Sequence, residues 1–145
     1  MGNRGKRFLN GVILAAAVFC LMASGCGAKK QEENSGGASA GAYRQISQEE
    51  AMRMMQEEKG YIILDVRRRD EFDAGHIPGA ILHPNESIED TPPALLPDMD
   101  QVILIYCRSG NRSKQAAQKL AEMGYTSIYE FGGINTWPGE IVTGE

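Results

Sequence analysis

Two continuous apolar runs limit the folds open to this chain more than any other feature of its sequence. Residues 61–66 read YIILDV and residues 102–106 read VILIY. Apolar residues that do not alternate with polar ones are typical of strands buried on both faces, as in parallel sheets. Residues 80–82 and 127–129 are shorter strand candidates. The sequence therefore predicts a buried, largely parallel sheet.

Two other segments have helical patterns. Ser47 and Glu50 form a capping-box pattern, which predicts a helix over about 47–59 that Gly60 ends. Residues 113–123 read SKQAAQKLAEM, and their small and apolar members fall on one face, which predicts a second helix. Because strands and helices alternate along the chain, the sequence indicates an α/β domain with one modest core.

The first 25 residues are predicted to be a signal peptide. The first seven positions carry the basic residues, residues 8–23 are mostly apolar, and small residues precede Cys26. Residues 22–26, MASGC, resemble a lipobox, whose cysteine is acylated on sulfur and becomes the first residue after cleavage. We expect an exported lipoprotein on the outer face of the cell membrane, or on an outer membrane if the host has one. The alternative is an uncleaved N-terminal anchor with an incidental cysteine.

The segment after Cys26 is predicted to be a tether. Residues 26–42 are rich in Gly, Ser and Ala and have no apolar periodicity, so the folded domain is expected at residues 43–145. The net charge is −4 for the whole chain. Without residues 1–26 it is −7, from 12 basic and 19 acidic residues. Such an acidic chain is a poor candidate for binding nucleic acid, which requires a basic face.

The most informative stretch is residues 102–113, VILIYCRSGNRS, where a predicted strand runs into Cys107. Sites in open parallel sheets form at the C-terminal ends of strands. A polar five-residue loop follows, and the helix is predicted to begin near Ser113. The loop amides, the helix end, Arg108 and Arg112 are expected to lower the pKa of the Cys107 thiol and favour the nucleophilic thiolate. The alternative, a structural thiol, is disfavoured by these polar neighbours.

Several blocks of residues 43–145 together resemble the single-domain rhodanese family. They read LDVR at 64–67, DEF with GHIPGA within 70–80, YCRSGNRS at 106–113, LAEMGY at 120–125 and GGINTW at 132–137. The resemblance implies an α/β fold with about five mostly parallel strands and helices on both faces. It also implies a sulfurtransferase that forms a persulfide and needs no metal or organic cofactor.

The same resemblance assigns the site residues. It implies that Cys107 is the catalytic residue, and that Asp65 and Arg67 pair near the site in a supporting role. The implied substrate-binding cradle consists of Arg108, Ser109, Gly110, Asn111, Arg112 and Ser113. In this family, sulfur donors include thiosulfate and persulfides, and acceptors include thiols and cyanide. The sequence does not distinguish among these small molecules.

Three other functions remain to be weighed. The fold also resembles certain protein-phosphatase domains, but those have five residues between cysteine and arginine, whereas Arg112 is the fifth residue after Cys107. A tetrahedral phosphate needs more room than one sulfur atom, so the shorter loop favours sulfane sulfur. A thiol–disulfide oxidoreductase normally needs a second, resolving thiol. The last alternative is a non-catalytic persulfide carrier or sulfur-binding module.

The predicted location limits the chemistry of Cys107. Cys20 leaves with the signal peptide and Cys26 becomes a thioether, so Cys107 is expected to be the only free thiol of the mature chain. Thiols tend to oxidise outside the cytoplasm. Turnover should therefore require an external thiol or nucleophile, and an exported thiol donor protein is the partner to look for.

Acylation at Cys26 can be tested by removing its sulfur. The Cys26→Ala variant has no site for a lipid, so it should be lost from the membrane fraction that holds the parent protein. Cell fractionation with immunoblotting measures this distribution. If the variant stays on the membrane as the parent does, residues 8–23 are an uncleaved anchor.

Overall fold

In the computed structural model, which describes residues 42–144, helices alternate with the strands of one parallel sheet. The strands are β1 (Arg44–Gln45), β2 (Ile62–Asp65), β3 (Ala80–Leu82), β4 (Ile103–Cys107) and β5 (Ile128–Gly133), and the helices are α1 (Gln48–Glu57), α2 (Arg69–Ala74) and α3 (Asn111–Glu122). The sheet order is β1-β5-β4-β2-β3, and every described pairing is parallel. This confirms the predicted α/β class and the expectation of about five parallel strands.

Each face of the sheet has its own apolar core. Along β2 and β4 the side chains alternate, so Leu64 and Ile105 enter one core, with α3, whereas Ile63 and Leu104 enter the other, with α1. Full burial of one such side chain contributes roughly 1.5–3 kcal/mol. The two cores explain why these strands have no polar face, and they hold β4 between two helical layers.

Several boundaries differ from the predictions. Helix α3 begins at Asn111 rather than near Ser113, because Gly110 adopts a left-handed conformation with φ of 98° and starts the helix there. Strand β5 continues to Gly133, beyond the predicted end at residue 129. The six-residue α2 was not predicted, since it is shorter than the window over which helical periodicity can be detected.

The predicted N-terminal segments lie almost wholly outside the described residues. These are the signal peptide at 1–25, the lipidated Cys26 and the tether at 26–42, of which only residue 42 is described. Their boundaries, and the start of the domain at residue 43, stay predictions. Among residues 42–144, no helix is long and apolar enough to cross a membrane.

A close backbone contact joins β5 to the segment after β4. The strand register shifts between Ile105 and Cys107, and this shift brings Cys107 opposite Gly133. A Cβ atom at Gly133 would lie 2.2 Å from the carbonyl oxygen of Arg108 and 2.6 Å from Cα of Ser109. Only glycine therefore lets the backbone after Cys107 pack against the end of β5.

The Gly133→Ala substitution should displace the segment after Cys107. Because the added methyl group meets backbone rather than a flexible side chain, we expect a loss of about 1–3 kcal/mol in the free energy of unfolding and a changed alkylation rate of Cys107. Urea unfolding and timed alkylation measure the two effects. The Gly60→Ala control has open space for its Cβ but a φ of 75°, so it should lose stability without altering Cys107 reactivity. An unaltered rate in Gly133→Ala would contradict the contact's role.

Candidate active site

Cys107 lies at the C-terminal end of the central strand β4 and is 1% exposed. Its side chain belongs to the core on the α3 face. The chain turns immediately after it, and the Gly110 amide donates a hydrogen bond to Sγ of Cys107 at 3.1 Å. The turn is possible because Gly110 has the positive φ already noted. The sulfur is thus held at the point where β4 ends and α3 begins.

The environment lowers the pKa of the Cys107 thiol despite its burial. Burial alone would raise this pKa, but hydrogen bonds from the side chain and amide of Ser113, and from the amides of Ser109 and Gly110, outweigh it. These donors surround one sulfur atom from the loop and from the first turn of α3. The site therefore favours a thiolate, which is the reactive form of cysteine.

The loop after Cys107 is shorter than predicted. Only residues 108–110 lie between β4 and α3. Asn111 and Arg112, predicted to be in the loop, therefore belong with Ser113 to the first turn of the helix. Asn111 is exposed, whereas Ser113 is buried. Part of the predicted cradle is therefore formed by a helix N-terminus, whose amides have no partners within the helix.

The two arginines of the predicted cradle have different positions. The side chain of Arg108 is exposed, and its carbonyl accepts a hydrogen bond from the Asn135 amide. Arg112 is half-buried and donates two hydrogen bonds to the Glu71 carboxylate of α2, at 2.7 and 2.8 Å. Such a bidentate pair occupies one edge of the guanidinium. The expected role of either arginine in binding substrate stays a prediction.

Glu71 anchors α2 to the site. The hydrogen bond from Arg112 is the main reason that its pKa falls to about 2, with a smaller contribution from the Arg68 amide. In return, the bond to Glu71 raises the pKa of Arg112; partial burial opposes this, and the charges of Glu71 and Cys107 reinforce it. Sequence analysis missed Glu71 as a site residue because its partner is 41 positions away.

The supporting pair predicted at the end of β2 is present. Arg67 binds both carboxylate oxygens of Asp65, with Nε to Oδ1 at 3.0 Å and Nη2 to Oδ2 at 2.6 Å, and both residues are buried. The same Nη2 donates to the Gly75 carbonyl at 2.7 Å, and the guanidinium lies over the Tyr106 ring. These contacts brace the chain after α2, where the Gly75 carbonyl lies.

Sequence analysis also missed a buried acid on β5. Glu130 is 3% exposed, and its carboxylate accepts a hydrogen bond from Ser113. The available signal was an acid between apolar residues in IYEFGG, but the predicted strand stopped before it. Beside it, a polar cleft of about 340 Å³ lies between the N-terminus of α1 and the turn at Ser109 and Gly110.

The described residues offer limited chemistry besides that of the thiol. Cys107 is the one cysteine among residues 42–144, and it is free. Within the same residues, no three His, Cys, Asp or Glu side chains are grouped as metal ligands. The arrangement is suited to nucleophilic attack by sulfur and to holding a small anion on that sulfur.

Known proteins resemble this chain in sequence and in fold. Residues 47–140 match the rhodanese-like domain model. Thiosulfate sulfurtransferase GlpE of Pseudomonas entomophila is 34% identical over 107 residues, which are 70% of this chain and 94% of GlpE. The adenylyltransferase and sulfurtransferase UBA4 of Candida albicans is 36% identical over 95 residues, which are 61% of this chain but only 22% of UBA4.

A solved structure agrees with these matches. The rhodanese with anions from E. coli superposes with a TM-score of 0.54 and 31% sequence identity, over 58% of this chain and 99% of that one. Together with the relative named thiosulfate sulfurtransferase, it supports sulfurtransferase activity in a domain of this size.

The lowered pKa of Cys107 predicts that the pH midpoint of its alkylation is lower in the folded protein than in the unfolded chain. Iodoacetamide reacts with the thiolate, so the pH midpoint of its rate at Cys107 should lie below about 8.5 in the folded state. Mass spectrometry of quenched samples measures the reaction at this residue. The same protein in urea is the control and should return to the ordinary midpoint. A folded-state midpoint at or above that value would mean that the surrounding donors do not stabilise the thiolate.

Proposed function

The chain belongs to the rhodanese-like domain family, and we propose that it is a sulfurtransferase that carries sulfane sulfur as a persulfide on Cys107. The observation that carries this proposal is the set of hydrogen-bond donors around a single buried thiol at the end of the central strand. These donors suit a small sulfur anion. The proposed donors are thiosulfate or a persulfide, and the proposed acceptors are a thiol or cyanide.

The proposed reaction has two steps. With thiosulfate as donor, the Cys107 thiolate attacks the outer sulfur, the S–S bond of thiosulfate breaks, and sulfite leaves with the bonding electron pair. Cys107 then carries a persulfide anion. In the second step the acceptor attacks the terminal sulfur, which leaves as thiocyanate or as a new persulfide, and the Cys107 thiolate is restored. Neither step needs an added oxidant or reductant.

The residues around the sulfur support this chemistry over phosphoryl transfer. Only three residues separate β4 from α3, so the space enclosed by the turn is small. One edge of the Arg112 guanidinium is bound to Glu71, which leaves fewer of its donors for a phosphate. A transferred phosphoryl group needs donors for three oxygens, whereas a terminal sulfur needs them for one atom.

We further propose that the protein is exported and anchored to a membrane by lipid. This location helps to distinguish sulfur transfer from thiol–disulfide exchange. If Cys26 is acylated and Cys20 is removed, Cys107 has no second thiol with which to form an internal disulfide. A thiol–disulfide oxidoreductase of the usual kind is then disfavoured. The acceptor would be an external thiol, supplied by a small molecule or by an exported thiol donor protein.

Thiosulfate treatment followed by cyanide tests the proposed function. Intact-mass spectrometry should detect one added sulfur at Cys107 after thiosulfate, and thiocyanate should form catalytically on addition of cyanide. The Cys107→Ser variant should lose at least about a thousand-fold in kcat/KM, because the nucleophile is absent. The matched control is Ser87→Ala, which removes a hydroxyl from an exposed residue.

The outcomes separate the alternatives. One added sulfur without turnover to thiols or cyanide would identify a persulfide carrier instead of an enzyme. Aryl-phosphate hydrolysis at a rate comparable to sulfur transfer would contradict the argument from loop size. Turnover that persists in Cys107→Ser would overturn the assignment of the catalytic residue.

A further inference from the structure

Glu71 is a partly buried acid of α2 whose charge the proposed reaction does not use. Its carboxylate accepts two hydrogen bonds from the Arg112 guanidinium, at 2.7 and 2.8 Å. The side chains of Arg112 and Glu71 are only 24% and 16% exposed, so salt and solvent screen this pair less than a surface pair. The two charges cancel, and the pair therefore presents little positive charge to an incoming anion.

This ion pair lies close to the reactive sulfur. Arg112 is in the first turn of α3, two residues after Gly110, whose amide is 3.1 Å from Sγ of Cys107. The pKa of Arg112 is raised mainly by its hydrogen bond to Glu71, and the charges of Glu71 and Cys107 add to this effect. A charge gained or lost at the pair should therefore be felt by a charged molecule that approaches the sulfur.

The two arginines of the predicted cradle differ in how their charge is balanced. The charge of Arg112 is balanced by Glu71. Arg108 directly follows Cys107, its side chain is exposed, and it forms no ion pair among residues 42–144. One unbalanced positive charge suits a donor with one negative charge, whereas the second charge of a donor such as thiosulfate is less well compensated.

We propose that Glu71 is a specificity-determining residue that neutralises Arg112 and so disfavours doubly charged sulfur donors relative to singly charged ones. The favoured substrate class is an organic sulfane donor that carries no more than one negative charge, such as a thiosulfonate or a persulfide. The selection of donors rests on the proposed sulfurtransferase function. The electrostatic effect of Glu71 at Cys107 does not.

Two donors that differ by one charge isolate this effect. Thiosulfate is a dianion, and methanethiosulfonate is the monoanion in which a methyl group replaces one oxygen. With either donor the Cys107 thiolate attacks the outer sulfur, and the S–S bond breaks. Sulfite or methanesulfinate leaves with the bonding electron pair, and the same Cys107 persulfide forms. Because both reactions use the same thiolate, the ratio of their kcat/KM values cancels any change in the thiolate fraction.

The Glu71→Gln variant tests the proposal, because glutamine can keep both the N-terminal cap of α2 and an acceptor for Arg112. The variant removes one negative charge beside the site, so the kcat/KM ratio of thiosulfate to methanethiosulfonate should rise about three- to ten-fold at low ionic strength. In about 0.5 M salt the rise should be smaller. The matched control is Asp73→Asn, which removes an exposed carboxylate from the same helix and should leave the ratio unchanged.

Alkylating reagents report the same charge without a sulfur donor. Iodoacetate is an anion and iodoacetamide is neutral, and both react with the Cys107 thiolate. The ratio of their rate constants should rise about two- to ten-fold in Glu71→Gln and should not change in Asp73→Asn. If the parent protein transfers no sulfur from either donor, the proposed function fails, while this alkylation ratio still tests the effect of Glu71.

Two further variants separate the charge of Glu71 from its contacts. Arg112→Gln leaves the Glu71 carboxylate without its partner, so both ratios should fall below those of the parent. The double variant Glu71→Gln/Arg112→Gln is neutral at this position, as the parent pair is, so both ratios should return to within about two-fold of the parent values. If Glu71→Gln alone does not fold, the comparison of these two proteins still measures the effect of the Glu71 charge.

The outcomes that overturn the proposal are distinct. Unchanged ratios in Glu71→Gln, or equal changes in Asp73→Asn, mean that the carboxylate beside Arg112 has no special effect on anions. If only one of the two ratios rises, the Glu71 charge does not select donors at the sulfur as proposed. If the ratios of the double variant stay as low as those of Arg112→Gln, Arg112 binds anions regardless of Glu71, and the proposal is wrong.

Discussion

The burial of β4 on both faces is the constraint on which the rest of the structure depends. Its side chains enter two separate cores, and parallel partners flank it on both edges. A strand held on four sides cannot shift its register by one residue without exchanging the side chains that fill its two cores. The position of Cys107 is therefore determined by packing along the whole strand, and the turn after it is confined by the contact with Gly133.

Around this fixed sulfur, stabilisation comes mainly from backbone amides and one hydroxyl rather than from cationic side chains. Arg112 is engaged by Glu71, and Arg67 is engaged by Asp65. Amides at a helix N-terminus are held by the fold, so they stabilise charge without needing to reorganise during a reaction. The ion pairs instead connect α2 and the chain after it to the sheet and to α3.

When an atom is transferred through a covalent intermediate, that intermediate must be neither too unstable nor too stable. The site must favour the anion enough for it to form, yet not so much that it is not released. How strongly the site stabilises the anion therefore distinguishes an enzyme that releases its sulfur at each turnover from a module that only stores it.

Much of this could be predicted from sequence, because it depends on local pattern. The apolar runs at 61–66, which contain one acid, and at 102–106 predicted buried parallel strands. Cys107, between a strand and a polar glycine-containing loop, marked the nucleophile. Tertiary structure alone decided which groups serve that nucleophile. Arg112 meets Glu71 and Ser113 meets Glu130 only after distant segments pack together. Periodicity reports which face of an element is buried, but it contains no information on which polar atoms meet across the core.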